Sequence, residues 1–204
     1  MSWITFFKNQ RQRTEFIVTL MLLIVLMLTF SQFLQFIEQR KGVSLPDPLL
    51  INFNPMDLTW LTFALIYISL ILFLFGNIKD PHKVTIALQS YGLMVVFRII
   101  AMYLTPLESP ATLLILDDPF VQFFGKGEIL TKDLFFSGHT GTLFLLSLLS
   151  ENKILKSIFL TSTLLVGVAV LLQHVHYFID VFVAPFVAYG AFKIIENLHI
   201  KFSK

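Results

Sequence analysis

Two histidines and an aspartate stand out in a chain that carries few charges. His176 and Asp180 are four residues apart, which puts both on one face of a helix. A carboxylate so placed accepts a hydrogen bond from one imidazole nitrogen, fixes the tautomer and leaves the other nitrogen free to attack. His139 follows Ser137 and Gly138 at what reads as a helix start. Backbone N–H groups there, together with the Ser137 hydroxyl, suit an anionic oxygen. The planar fork of Arg98 pairs well with phosphate. Nucleophile, orienting acid, proton donor and charge stabiliser together make a phosphoryl-transfer set. Asp133 and Glu108 are candidates for tuning His139, and His174 lies two residues from His176.

Each of these residues also has an ordinary reading. A His–Asp pair at helical spacing is often a structural ion pair. Ser-Gly-His-Thr is a string of small residues of the kind that packs membrane helices. Arg98 could snorkel to the headgroups, and Glu108 and Asp133 could be solvated loop charges. His174, His176 and Asp180 could instead hold a metal, although a fourth ligand is not obvious. What favours chemistry is the cost of placing such groups in a bilayer, at least ~2.5–3.5 kcal/mol each on insertion scales.

The chain must position these groups in a membrane. Of its 204 residues 56% are hydrophobic and only 14% charged, against ~25% charged for a soluble domain. Its mean hydropathy is +0.79. A membrane helix needs ~20 mostly apolar residues. Six stretches qualify as candidates: 16–36, 58–75, 84–105, 134–149, 154–172 and 177–195. The stretch 112–124 is apolar but interrupted by Asp117-Asp118-Pro119, and reads as an interfacial or lumenal segment. The expected fold is therefore an all-α, polytopic bundle of six transmembrane helices forming a single domain over 1–204. If both termini are cytoplasmic, ten of the fifteen Lys and Arg lie in inside segments, four in the outer loops, and Arg98 within a span. That asymmetry follows the positive-inside rule. In this topology Arg98, Glu108, Asp133, His139, His174, His176 and Asp180 all fall on one side of the bilayer and at similar depth, near the outer face. The absence of cysteine excludes disulfides and thiolate metal sites. A net charge of +2 gives no case for nucleic acid.

Three motifs at these residues resemble the type 2 phosphatidic acid phosphatase superfamily, and within it the sphingomyelin synthase-like branch. Asp133-Leu-Phe-Phe-Ser137-Gly138-His139-Thr140 is similar to that branch's Gly-Asp-x-x-x-Ser-Gly-His-Thr. His174-Val-His176-Tyr177-Phe-Ile-Asp180-Val181 is similar to its His-x-His-Tyr-x-x-Asp-Val. The stretch from Arg98 through Met102, Tyr103, Thr105 and Leu107 to Pro110 is similar to its Arg-x-x-x-Met-Tyr-x-Thr-x-Leu-x-x-Pro, and Leu45-Pro46-Asp47 to part of a further loop motif. The ordinary phosphatase branch has Pro where Phe136 stands, and a Ser-Arg pair where Ala169 and Val170 stand.

The resemblance implies a membrane lipid phosphotransferase. His176, oriented by Asp180, would take a phosphoethanolamine or phosphocholine headgroup from a phospholipid, and His139 would shuttle the proton. Ceramide or a related lipid alcohol would accept the group. Arg98, Ser137, Gly138, Asp133, Glu108, Tyr177 and His174 would bind phosphate and substrate, with no metal or other cofactor. The implied setting is a bacterial inner membrane, with the site facing the periplasm. Two alternatives stay open: a lipid phosphate or polyprenyl diphosphate phosphatase using water, and a non-enzymatic membrane protein.

Overall fold

Caps set where the helices begin. Asn9 accepts from the amides of Arg11 and Gln12, so α2 starts at Gln10 and runs to Gln39, well beyond the apolar 16–36. Asp80 caps the turn before Pro81, so α4 spans Pro81–Leu104 rather than beginning at 84. Asn152 caps Lys153–Leu172 in the same way. Hydropathy alone finds the part of a helix that sits in lipid, whereas polar caps carry the helix past it.

The computed structural model describes residues 3–116 and 130–202; much of the 112–124 stretch, including Asp117 and Asp118, lies outside the described residues. Among the described residues there are seven α-helices and no strand. We number them α1 (Trp3–Lys8), α2 (Gln10–Gln39), α3 (Thr59–Asn77), α4 (Pro81–Leu104), α5 (Gly138–Leu149), α6 (Lys153–Leu172) and α7 (Phe178–Phe202). Five of them, α2, α3, α4, α6 and α7, are long and apolar enough to cross a bilayer. The chain is accordingly an integral membrane protein. The fourth predicted span is different: residues 134–137 are not helical, and α5 has only 12 residues. At 1.5 Å per residue it covers about 18 Å, short of the ~30 Å hydrocarbon core.

Contacts at the two ends of the bundle show how the helices run. At one end Trp3 Nε1 donates to the Ile78 carbonyl, Lys83 pairs with Glu151 at 3.0 Å, and the rings of His82 and His199 meet edge to face. At the other end the C-termini of α2, α4 and α6 meet the N-termini of α3, α5 and α7. The core between the ends is built by Met94 of α4, Leu143 and Leu146 of α5, Phe159 and Val166 of α6, and Ala184, Ala188 and Ala191 of α7. The alanine row lets α7 approach α4 and α5 closely, as small residues do in membranes. α5 is thus the most enclosed helix, and its N-terminus lies below the bundle end. Arg98 is six residues short of the end of α4, about 9 Å along the axis.

Candidate active site

Asp180 is fully buried in the first turn of α7, and its Oδ2 accepts from the Tyr177 amide at 3.1 Å. The same oxygen lies 3.3 Å from His176 Nδ1. The contact expected from the four-residue spacing, between one imidazole nitrogen and the carboxylate, is present. Burial pushes the His176 imidazole below its ordinary value of 6.5, against the opposing pull of Asp180. The ring is therefore neutral at pH 7, the form that can attack. The Asp180 carbonyl accepts from the Ser137 amide at 3.0 Å, which ties the two distant motifs together through the main chain.

Ser137 turns out to be a helix cap. Its Oγ receives the Thr140 amide and lies 3.1 Å from Thr140 Oγ1, with no solvent exposure. Its own amide is taken by Asp180, so its contribution is to start α5 at Gly138 and aim His139. The His139 and His176 rings meet edge to face at 6.4 Å between centroids, and Phe63 meets His139 edge to face at 6.5 Å.

Arg98 is 7% exposed and reaches over the start of α5. A Cβ added to Gly138 would sit 1.6 Å from Arg98 Nη1, so only glycine allows the guanidinium to lie there. Nη2 binds Asp133 Oδ1 at 2.7 Å and the Asp133 carbonyl at 3.3 Å. Its Nε has no hydrogen-bond partner among the described residues. Asp133 thus engages Arg98 most directly, although it also lines the clefts beside His139. Gly138→Ala is expected to push the guanidinium aside, lower stability by about 1–3 kcal/mol as overpacking does, and raise KM for a phosphate substrate. Thermal unfolding in detergent and steady-state kinetics measure the two effects.

The remaining candidates sit in the surrounding frame. Glu108 accepts from the Gly42 amide at 2.7 Å and pairs with Lys132 at 2.9 Å. These two contacts hold its carboxyl below the usual 4.5. It braces the loops around Gly42 and Lys132, a different place from the expected one beside His139. Gly42 itself has no room for a Cβ, because the Leu107 carbonyl carbon would lie 2.4 Å away where the two loops bridge. The Tyr177 hydroxyl donates to the Glu108 carbonyl at 2.9 Å and accepts from the Leu45 amide at 3.3 Å, which fixes the loops over the start of α7. His174 is 2% exposed, with φ of 56°. Its Nδ1 lies 2.5 Å from Thr112 Oγ1, away from the His176–Asp180 pair. Among the described residues no group of three or more His, Asp or Glu is placed to hold a metal.

Three positioning residues emerge from the fold, two of them with no signal in the residue pattern. Glu38 at the end of α2 accepts from the Thr131 amide and hydroxyl and from the Lys132 amide, at 2.6–3.0 Å, and so holds the segment that delivers Asp133. Asp47, noted only within a loop motif, accepts from the Phe178 amide at 2.6 Å and caps α7. Gln173, fully buried, clasps the start of α3 through the Leu58 amide and Thr59 hydroxyl. Each contact joins residues from distant parts of the chain, so no local pattern announces it.

Two cavities meet at His139 and Asp133. A small cleft of about 40 Å³ is lined by Thr131, Asp133, His139 and His176 together with five apolar side chains, among them Leu113, Ile115 and Val175. A larger apolar groove of about 500 Å³ runs from Arg98 and His139 down between α2, α3, α4 and α5. Residues 132–198, about a third of the chain, match the PAP2 superfamily C-terminal family model. The match supports membership of the PAP2 superfamily. It covers Asp133, the Ser137–Thr140 string, His176 and Asp180; Arg98 and Glu38 lie outside it. PAP2 superfamily membership fits a membrane enzyme acting on lipid phosphates. No curated protein matches the chain.

Proposed function

We propose that the protein is a membrane phosphotransferase that moves a phosphoethanolamine or phosphocholine headgroup from a phospholipid onto ceramide or a related lipid alcohol. The observation that carries this reading is the edge-to-face pair His139 and His176, with Asp180 behind His176 and His139 on the wall of an apolar groove. In the first step His176 Nε2 attacks the phosphorus and the bond to the diacylglycerol oxygen breaks. His139 gives that oxygen its proton. The headgroup phosphate then rests on His176. In the second step His139 takes the proton of the acceptor hydroxyl, whose oxygen attacks phosphorus and frees His176. Arg98 stabilises charge on the phosphate oxygens throughout, and its Nε is a donor not engaged elsewhere among the described residues. Asp133 keeps that guanidinium in place.

The whole chain acts as one domain in this reading. Six segments cross the membrane, α5 and the extended residues before it supplying the fourth. The Lys and Arg asymmetry supports cytoplasmic termini and a site facing the periplasm of a bacterial inner membrane.

Purified protein incubated with phosphatidylethanolamine or phosphatidylcholine plus ceramide should yield a new ceramide phospholipid by mass spectrometry. The product should vanish in His139→Ala and in His176→Ala. Phosphate release from phosphatidic acid, with no ceramide product, would replace transfer by hydrolysis. No lipid conversion under either condition would leave a non-enzymatic membrane protein. The pH profile is a further test. Attack needs neutral His176, and burial lowers its pKa, so the acid limb of kcat/KM should fall below pH 6.5. A limb at or above that value would contradict the burial of the nucleophile.

A further inference from the structure

The groove has the same depth on every wall. Its lining covers 23–34 on α2, 63–74 on α3, 87–98 on α4 and 138–149 on α5. Each is eleven helical steps, about 16 Å at 1.5 Å per residue. One leaflet of a ~30 Å hydrocarbon core is about 15 Å thick. The head end holds Arg98, Asp133 and His139, which suit a phosphate; the deep end is apolar, lined by Leu23, Phe73, Leu74, Ala87, Leu88 and Leu149. α2 packs on α4 and α3 on α6, while α2 and α3 barely touch each other, so the groove has a side opening between them.

We propose that this groove measures one acyl chain of a phospholipid drawn from the leaflet on the site's side, with Phe73, Ala87 and Leu149 as its floor. The inference rests on the lipid reading of the site and adds the length of chain it accepts. The physical reason is specific to membranes. Lipid tails are as apolar as the groove wall, so entry gains nothing from leaving water, and packing fit alone decides which chain stays. A chain of one-leaflet length fills the groove with its phosphate at Arg98. A much longer chain must fold back through the opening between α2 and α3, and a shorter one leaves the floor unpacked. Ala87 is the smallest side chain at the floor, so its replacement by Phe raises the floor by a larger step than any other single change there.

The test uses the full chain in nanodiscs and two phosphatidylcholine probes, one with a diazirine at the chain terminus and one with it near the carbonyl. Mass spectrometry of the cross-linked peptides should place the terminal label around Phe73, Ala87 and Leu149, and the carbonyl label around Leu34, Phe63 and Arg98. Labelling confined to outward-facing residues such as Ile24, Leu28 and Phe182, or the same pattern from both probes, would overturn the proposal. Ala87→Phe should shift the ratio of long-chain to short-chain phospholipid turnover toward short chains by at least about tenfold; an unchanged ratio in a folded variant would also overturn it. The cross-link map needs no turnover. A protein that labels as expected but converts no phospholipid would therefore refute the transferase reading and leave the chain measure standing.

Discussion

Replacing His176 by alanine is expected to lower phospholipid headgroup release by at least about 10³-fold, the scale on which enzymes lose activity when a nucleophile is removed. No neighbouring group can substitute. In the proposed mechanism His139, 6.4 Å from His176 between ring centroids, is committed to the proton, and His176 is the imidazole bonded to Asp180. The side chain is 1% exposed, so truncation also leaves a cavity. His176→Gln, which keeps most of the volume, separates chemistry from packing. Both variants should lose activity, while the Gln variant should keep its mobility on gel filtration and its helical circular dichroism. Headgroup release at the wild-type rate in a folded His176→Gln protein would remove His176 from the reaction.

Asp180→Asn should cost kcat about 10²–10⁴-fold with little change in KM, by analogy with loss of the orienting carboxylate in serine-protease triads. The reasoning is geometric. Asn has the shape of Asp, and the link from the Asp180 carbonyl to the Ser137 amide is main chain, so the fold around the site is kept. What changes is the charge behind His176 Nδ1 and the certainty of its tautomer. Because Asp180 does not reach the substrate, affinity should be spared. Steady-state kinetics on a single phospholipid donor separates the two parameters. A variant with raised KM and unchanged kcat would make Asp180 a substrate-binding group instead.

Residue patterns located the helices and the chemical groups, but not the frame that aims them. The apolar stretches found the parts of α2, α3, α4, α6 and α7 that lie in lipid, and the four-residue spacing found the His176–Asp180 contact because both belong to one local turn. The 134–149 stretch looked like a full span because Leu134, Phe135 and Phe136 are apolar, yet the Ser137 cap starts the helix at Gly138, four residues later. Burial of Leu134 and Phe136 among other side chains explains their hydrophobicity without a helix. Glu108 was expected near His139 because both belong to the site end. Its position was decided instead by Gly42 and Lys132, whose loops approach only once the bundle has formed. Glu38 and Gln173 are ordinary polar residues at helix ends until Thr131 and Thr59 arrive from far along the chain. The glycine before His139 could be read as a helix-start residue. That it exists to admit the Arg98 guanidinium needs the third dimension.

The central claim is that His176 carries the headgroup phosphate between donor and acceptor. Intact-protein and peptide mass spectrometry after a short incubation with phosphatidylethanolamine or phosphatidylcholine, without acceptor and quenched at alkaline pH, tests it directly. The account predicts an acid-labile adduct of the mass of the headgroup phosphate on the peptide bearing His176, absent in His176→Gln and discharged by ceramide. An adduct on another residue, or active protein that turns over phospholipid with no adduct at any time, would contradict it.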